Sequence, residues 1–170
     1  MFLLPINAIR SEFSSVILTK NAVVQSETGS GKSTHLPLWA AEHGRVLVIE
    51  PRRIACTALA EYLALQSGKA LGEDIGYTIK LDSRYCEESK IVFVTPGIAL
   101  KWFMEDKLVS FSHIMIDEFH ERRWDTDLLL SLLHDHQQHR LILTSATIDT
   151  KPLASYANAT VLTAKGRQFT

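Results

Sequence analysis

Five short apolar, β-branched runs recur along the chain, at residues 22–24, 46–49, 91–95, 114–116 and 141–144, and each is followed by a segment long enough for a helix. The segments 33–43, 54–66, 97–105 and 125–134 carry apolar residues at helical spacing, as in Leu128, Leu129, Leu132 and Leu133. Apolar strands alternating with amphipathic helices predict an α/β fold: a mostly parallel sheet with helices on both faces. Residues 68–89 are richer in glycine and charge, and only 75–81 alternates enough to predict a further strand. No internal repeat or low-complexity tract interrupts the pattern. One domain over 1–170 is therefore expected, ending at a domain edge, since residues 165–170 have the composition of a linker beginning.

Composition narrows the possibilities. At 170 residues and 46% hydrophobic, the chain can bury one sizeable core. Lys and Arg number 18 against 19 Asp and Glu, so no global field draws it to nucleic acid or membrane, and any nucleic-acid contact must be local. Cys56 and Cys86 are far apart and lack a CxxC partner, which argues against a disulfide framework and for free thiols in a reducing compartment. The start is apolar but has no basic flank, and no apolar run reaches the ~20 residues of a membrane span. A cytoplasmic protein without a membrane partner is the expectation.

The strongest chemical signal is Ser26-Glu27-Thr28-Gly29-Ser30-Gly31-Lys32-Ser33, followed by Thr34, between a predicted strand and a predicted helix. Glycines at 29 and 31 let the backbone curl so that amide N–H groups and the helix N-terminus face a phosphate. Lys32 supplies a charge for the β and γ phosphates of ATP, and the Ser33 hydroxyl a ligand for Mg2+. Ser26 stands where this pattern has glycine, and a positive φ there costs a serine roughly 1 kcal/mol.

A second strand ends in Asp117-Glu118-Phe119-His120. Ligands of parallel sheets gather at the carboxyl ends of the strands, so this box is expected to face the phosphate loop. Asp117 is then a Mg2+ ligand, through water, and Glu118 the group that orients and deprotonates the attacking water. Arg52 and Arg53 follow the strand 46–49 directly, with Pro51 stiffening the exit, and are candidates for backbone phosphate contacts. His134, His136 and His139 read as a helix end entering a polar loop and not as a metal site. Trp39, Trp102 and Trp124 are expected to bury against the sheet.

Taken together, residues 117–122 (DEFHER), 28–34 (TGSGKST), Pro51-Arg52-Arg53, Gly76-Tyr77, Ser145-Ala146-Thr147 and Gly166-Arg167 resemble the DEAH-box helicases, and especially the bacterial HrpB-type subgroup with Phe in the third position of the box. The match covers nearly the whole chain in the family's order. It implies a RecA-like first motor domain, with ATP and Mg2+ as ligands and single-stranded RNA or DNA as a partner. It also implies a second RecA-like domain, whose arginines reach the γ-phosphate. By resemblance, Ser145, Ala146 and Thr147 couple nucleotide state to domain movement and His120 contacts that segment. Thr95 and Gly97 add strand contacts, although Pro96 departs from the polar residue usual there. Tyr62 stands where similar chains place an adenine-stacking arginine, and it either stacks or packs.

Three functions remain open at this point. The chain is the ATP-hydrolysing half of a longer helicase, a stand-alone nucleotide-dependent binding module, or another P-loop ATPase. The linked DEFH, PRR and SAT segments weigh against the last.

Overall fold

The computed structural model describes residues 4–146 and 149–165. Thr147, Gly166 and Arg167, read above as parts of motifs, lie outside the described residues. Eight strands, β1 (Asn21–Ser26), β2 (Val46–Ile49), β3 (Ile75–Ile79), β4 (Asp82–Arg84), β5 (Ile91–Val94), β6 (His113–Ile116), β7 (Arg140–Ser145) and β8 (Ala159–Ala164), form one sheet in the order β4-β3-β5-β2-β6-β7-β1-β8. Every pairing is parallel except that of β3 with β4, a hairpin whose tip is Lys80-Leu81.

Alternate residues of each strand point to opposite faces, and both faces are dry. Val24, Val46, Val48, Phe93, Met115 and Ile142 face α1 (Arg10–Val16), α2 (Lys32–Ala41) and α3 (Arg53–Ser67). Val23, Leu47, Ile49, Val92, Ile114 and Leu143 face α4 (Pro96–Met104), α5 (Trp124–His136) and α6 (Lys151–Ala157). Each such side chain contributes ~1.5–3 kcal/mol by leaving water, which is why β2 and β5 can be apolar without a break and β6 after His113.

The predicted strands and their intervening helices are present, and segment 75–81 is the β3 strand with its turn. Not foreseen were α1, β4, α6 and the edge strand β8. Trp39 and Trp102 are buried as expected, but Trp124 is 75% exposed. As the first residue of α5, it is placed ahead of the turns that contact the sheet. Cys56 and Cys86 are both free thiols.

The strand order places the carboxyl ends of β2, β6, β7 and β1 side by side. Consequently Glu50, Asp117, Ser145 and the loop after Ser26 line one edge of the sheet.

Candidate phosphate site and acidic box

The loop between β1 and α2 turns on Gly29 (φ 80°) and Gly31 (φ 94°), both left-handed. A Cβ on Gly31 would come within 2.8 Å of Leu4 Cδ1, whereas one on Gly29 would meet nothing within 4 Å. Gly31 is thus required by backbone and packing, and Gly29 by backbone alone on an open side. The N–H groups of Gly29, Gly31, Lys32 and Ser33 have no acceptor among the described residues; those of Lys32 and Ser33 open α2, whose first turn leaves such groups without a partner in the helix. Beside them is a cavity of about 250 Å³ lined by Thr28, Gly29, residues 31–34 and Glu118. Glu27 lies in the same loop, its carbonyl accepting from Ser30 N at 3.3 Å.

Ser26 is the last residue of β1 and is not left-handed, so the strain considered above does not arise. Its hydroxyl is 2.6 Å from that of Ser30, a bond across the loop that glycine could not make.

Lys32 is 3% exposed, and its Nζ is 3.4 Å from both Ser26 O and Glu118 Oε1. Ser33 Oγ donates to Asp117 Oδ2 at 2.6 Å. Asp117 is buried, and its other oxygen accepts from Thr144 Oγ1 and, at 3.1 Å, from Glu118 N. Glu118 takes a left-handed conformation (φ 55°) that turns its side chain back toward Lys32. Such a conformation costs a non-glycine residue ~1–2 kcal/mol and is found where the surroundings enforce it; here Glu118 N is also held by Thr144 Oγ1 at 3.0 Å.

His120 joins the box to the segment after β7. Ala146 N donates to its Nδ1 at 3.1 Å, so the proton of the neutral ring is on Nε2, which faces Glu118 Oε2 at 3.2 Å. Ligand atoms of Glu118, His120 and Glu121 lie within 4.8 Å of one another, but a protonated Nε2 cannot ligate, and these three do not form a metal centre. Ser145, buried, and Ala146 are thereby brought beside the box.

Two further residues belong here that the sequence reading passed over. Thr144 is the hydroxyl between Asp117 and Glu118 N. Glu50, 2% exposed at the end of β2, has its carboxyl pushed up to about 8, first by burial and then by the neighbouring Asp117 and Glu118. A carboxylate at the end of an apolar strand was the signal that marked Asp117, and it marks Glu50 equally.

The other candidates are spread along the same edge. Arg52 pairs with Glu121, and Arg53 Nη2 donates to Lys80 O at 3.1 Å. Both line an open, mostly apolar groove of about 800 Å³ with Ile54, Ala58 and Ile79. Thr95 and Gly97 stand at the start of α4, outside that groove. Tyr62 is half-exposed on α3 and lines neither the groove nor the loop cavity. His139, of the declined histidine cluster, is buried with Nδ1 donating to Phe111 O at 2.7 Å, while His134 and His136 pack on Tyr156 and Phe103.

Comparison with known proteins bears directly on this arrangement. The DEAD/DEAH box helicase family model matches residues 7–155. An ATP-dependent RNA helicase HrpA of Borreliella burgdorferi is 38% identical over 168 residues, 92% of this chain and 20% of that protein. The DExH-box ATP-dependent RNA helicase DExH1 of Arabidopsis thaliana is 34% identical, over 90% of this chain and 17% of its own length. The crystal structure of the Escherichia coli DEAH/RHA helicase HrpB superposes with a TM-score of 0.88 at 30% identity, covering 98% of this chain and 23% of that one. The chain thus spans about a fifth of the length of the relatives it matches, and its sheet is the RecA-like fold expected from the motifs. The chain belongs to the DEAD/DEAH box helicase family.

Proposed function

We propose that this chain is the ATP-binding motor domain of an ATP-dependent helicase that acts on single-stranded RNA or DNA. The observation that carries the reading is the direct junction of loop and box: Lys32 Nζ at 3.4 Å from Glu118, and Ser33 Oγ at 2.6 Å from Asp117. A buried ammonium, free amide N–H groups and a helix N-terminus around one cavity suit the triphosphate of a nucleotide.

The Ser33 hydroxyl and the Asp117 carboxylate are hard oxygen donors, the set that Mg2+ takes in phosphoryl-transfer sites. When bound, Mg2+ neutralises charge on the β and γ phosphates. Lys32 exchanges Glu118 for phosphate oxygen. Glu118, released, accepts the proton of the attacking water, and His120 Nε2–H keeps its second oxygen in place. Ala146, bonded to the same ring, carries any shift of His120 to the segment after β7.

On the adjoining groove, Arg52 and Arg53 meet phosphates of a single strand, with Thr95 and Gly97 extending the path; such contacts read backbone and not sequence. The RNA-helicase relatives favour RNA. Rapid turnover needs the arginines of a second RecA-like domain, which contribute ~10³–10⁵ in related sites, so the chain alone is expected to bind ATP and hydrolyse it slowly.

Calorimetric titration of ATP and ADP, with and without Mg2+, into the wild-type chain and Lys32→Ala tests this. Binding that requires both Mg2+ and Lys32 is the expected result. Equal affinity in the two proteins would place the nucleotide elsewhere.

A further inference from the structure

The two arginines of the groove are held differently. Arg53 gives one N–H to a neutral acceptor, the Lys80 carbonyl, and keeps its full charge. Arg52 is paired with the carboxylate of Glu121, and its charge is cancelled within the protein. The pair is unequal in freedom: the Arg52 side chain is 63% exposed and the Glu121 side chain 24%. Glu121 sits in a tight 3-10 turn (Phe119–Glu121) whose main chain is fixed by Glu121 N to Glu118 O at 3.0 Å and Arg122 N to Phe119 O at 3.1 Å. Arg52 is anchored only through its main chain, where N lies 3.4 Å from Glu50 Oε1. The carboxylate is therefore the fixed partner and the guanidinium the one able to leave.

We propose that Glu121 is an internal competitor for the nucleic-acid strand: it occupies Arg52 as a phosphate would, and a strand must displace it to gain that contact. The inference rests on the reading of Arg52 and Arg53 as nucleic-acid contacts. An exposed ion pair is weak, so a phosphate can replace it, and the restraint is a modest one. Because Glu121 follows His120 directly, and its carboxylate is within 4.8 Å of the Glu118 carboxylate and a His120 ring nitrogen, the displacement happens beside the hydrolytic residues. Any coupling between strand and nucleotide that arises there acts equally in both directions.

The test is binding of a fluorescein-labelled oligouridylate to the chain, followed by anisotropy over a series of KCl concentrations. The proteins compared are wild type, Arg53→Ala, Glu121→Gln, Glu121→Ala, Arg52→Gln and the double variant Arg52→Gln/Glu121→Gln, with melting curves for each. Glu121→Gln is expected to tighten binding by about two- to fivefold at low salt. It should also steepen the slope of log affinity against log salt by about 0.7, the value for one added phosphate contact on a single strand. Arg52→Gln alone removes that phosphate contact and should weaken binding modestly, and adding Glu121→Gln to it should bring no gain. A merely structural role for Glu121 would not move the salt slope. Glu121→Ala guards against a peculiarity of glutamine and should behave alike.

Unchanged affinity and slope in both Glu121 variants, with Arg53→Ala still impaired, would overturn the proposal while leaving the groove as the strand site. Weaker binding by the Glu121 variants would also overturn it, since Glu121 would then orient Arg52 for the strand. If wild type does not bind the oligonucleotide and no variant does, the strand reading of the groove fails, and this inference with it.

Discussion

The two ends of the sheet bury titratable groups in opposite ways. At the amino ends, His113 and His139 are each satisfied by main-chain carbonyls: His113 Nε2 donates to Ile17 O at 3.0 Å and His139 Nδ1 to Phe111 O at 2.7 Å. At the carboxyl ends three carboxyl groups are gathered, Glu50, Asp117 and Glu118: Glu50 is buried beside the other two, and the ammonium of Lys32 pairs with Glu118. Buried polar groups bonded to the main chain are finished structure, stable in one protonation state. Carboxyl groups gathered so closely that one is pushed up to about 8 are unfinished, and a cation or a phosphate that enters relieves or replaces contacts already made. This contrast agrees with the site proposed at the carboxyl end and is independent of any motif.

If the contrast is sound, changes at the carboxyl end alter chemistry. The largest expected effect is on hydrolysis by Glu118→Gln, which keeps the side chain's size and removes the proton acceptor. Residual turnover should fall by about 10²–10⁴, the usual contribution of a general base, with nucleotide affinity preserved. Single-turnover hydrolysis of radiolabelled ATP checks it, and an unchanged rate would move the water-orienting role off Glu118.

Next in size is Lys32→Ala. Losing a charge-assisted bond to phosphate should weaken Mg2+-ATP binding roughly 10- to 100-fold by calorimetry. The circular dichroism spectrum should stay that of the wild type, because Lys32 contacts the loop and the box and not the apolar core.

Much of this end was legible in the sequence, and the reason is locality. The loop 26–33 and the box 117–120 are contiguous motifs, each following an apolar strand, and both lie where expected. Glu50 and Thr144 were missed because their meaning comes from strand order: only the adjacency of β2, β6 and β7 brings them to Asp117. The Arg52–Glu121 pair, between residues 69 apart in sequence, was hidden for the same reason. Among the elements, α1 and α6 have seven residues each, too few to show a helical period, and β8 is half-exposed at the edge, where its pattern is diluted. Trp124 was judged by residue type and is decided by position: it is exposed at the start of its helix.

Glu50 sharpens the comparison through stability. Its folded value of about 8 lies above the ordinary 4.5, so between these values the folded state holds a proton that the unfolded chain has lost. Unfolding free energy from this group is therefore greatest at low pH and falls as pH rises from 4.5 through 8, by an amount on the order of a few kcal/mol. Glu50→Gln donates to Asp117 at every pH and should flatten that fall in urea unfolding curves, leaving the variant the more stable protein at pH 8. A fall equally steep in the variant would assign the proton to another group.

The amino end should respond with the opposite sign and a smaller effect. Burial, first, and then nearby positive charge from His43 and Arg140 hold His113 below its ordinary 6.5, and burial with His136 does the same to His139. A folded value below the unfolded one means that the unfolded chain binds the proton first. The stability contributed by each neutral ring is therefore present above pH 6.5 and is lost as pH falls below it, at no more than about 1.4 kcal/mol per pH unit per histidine. His113→Gln retains a donor for the Ile17 carbonyl and cannot titrate, so it should make the acid side of the unfolding profile shallower without changing ATP affinity at neutral pH. That pairing of results is what separates the two ends: Glu50→Gln acts on the alkaline limb beside the nucleotide, His113→Gln on the acid limb away from it. A loss of ATP affinity in His113→Gln, with the fold intact, would show that the amino end is not finished structure and that the two ends of the sheet are coupled.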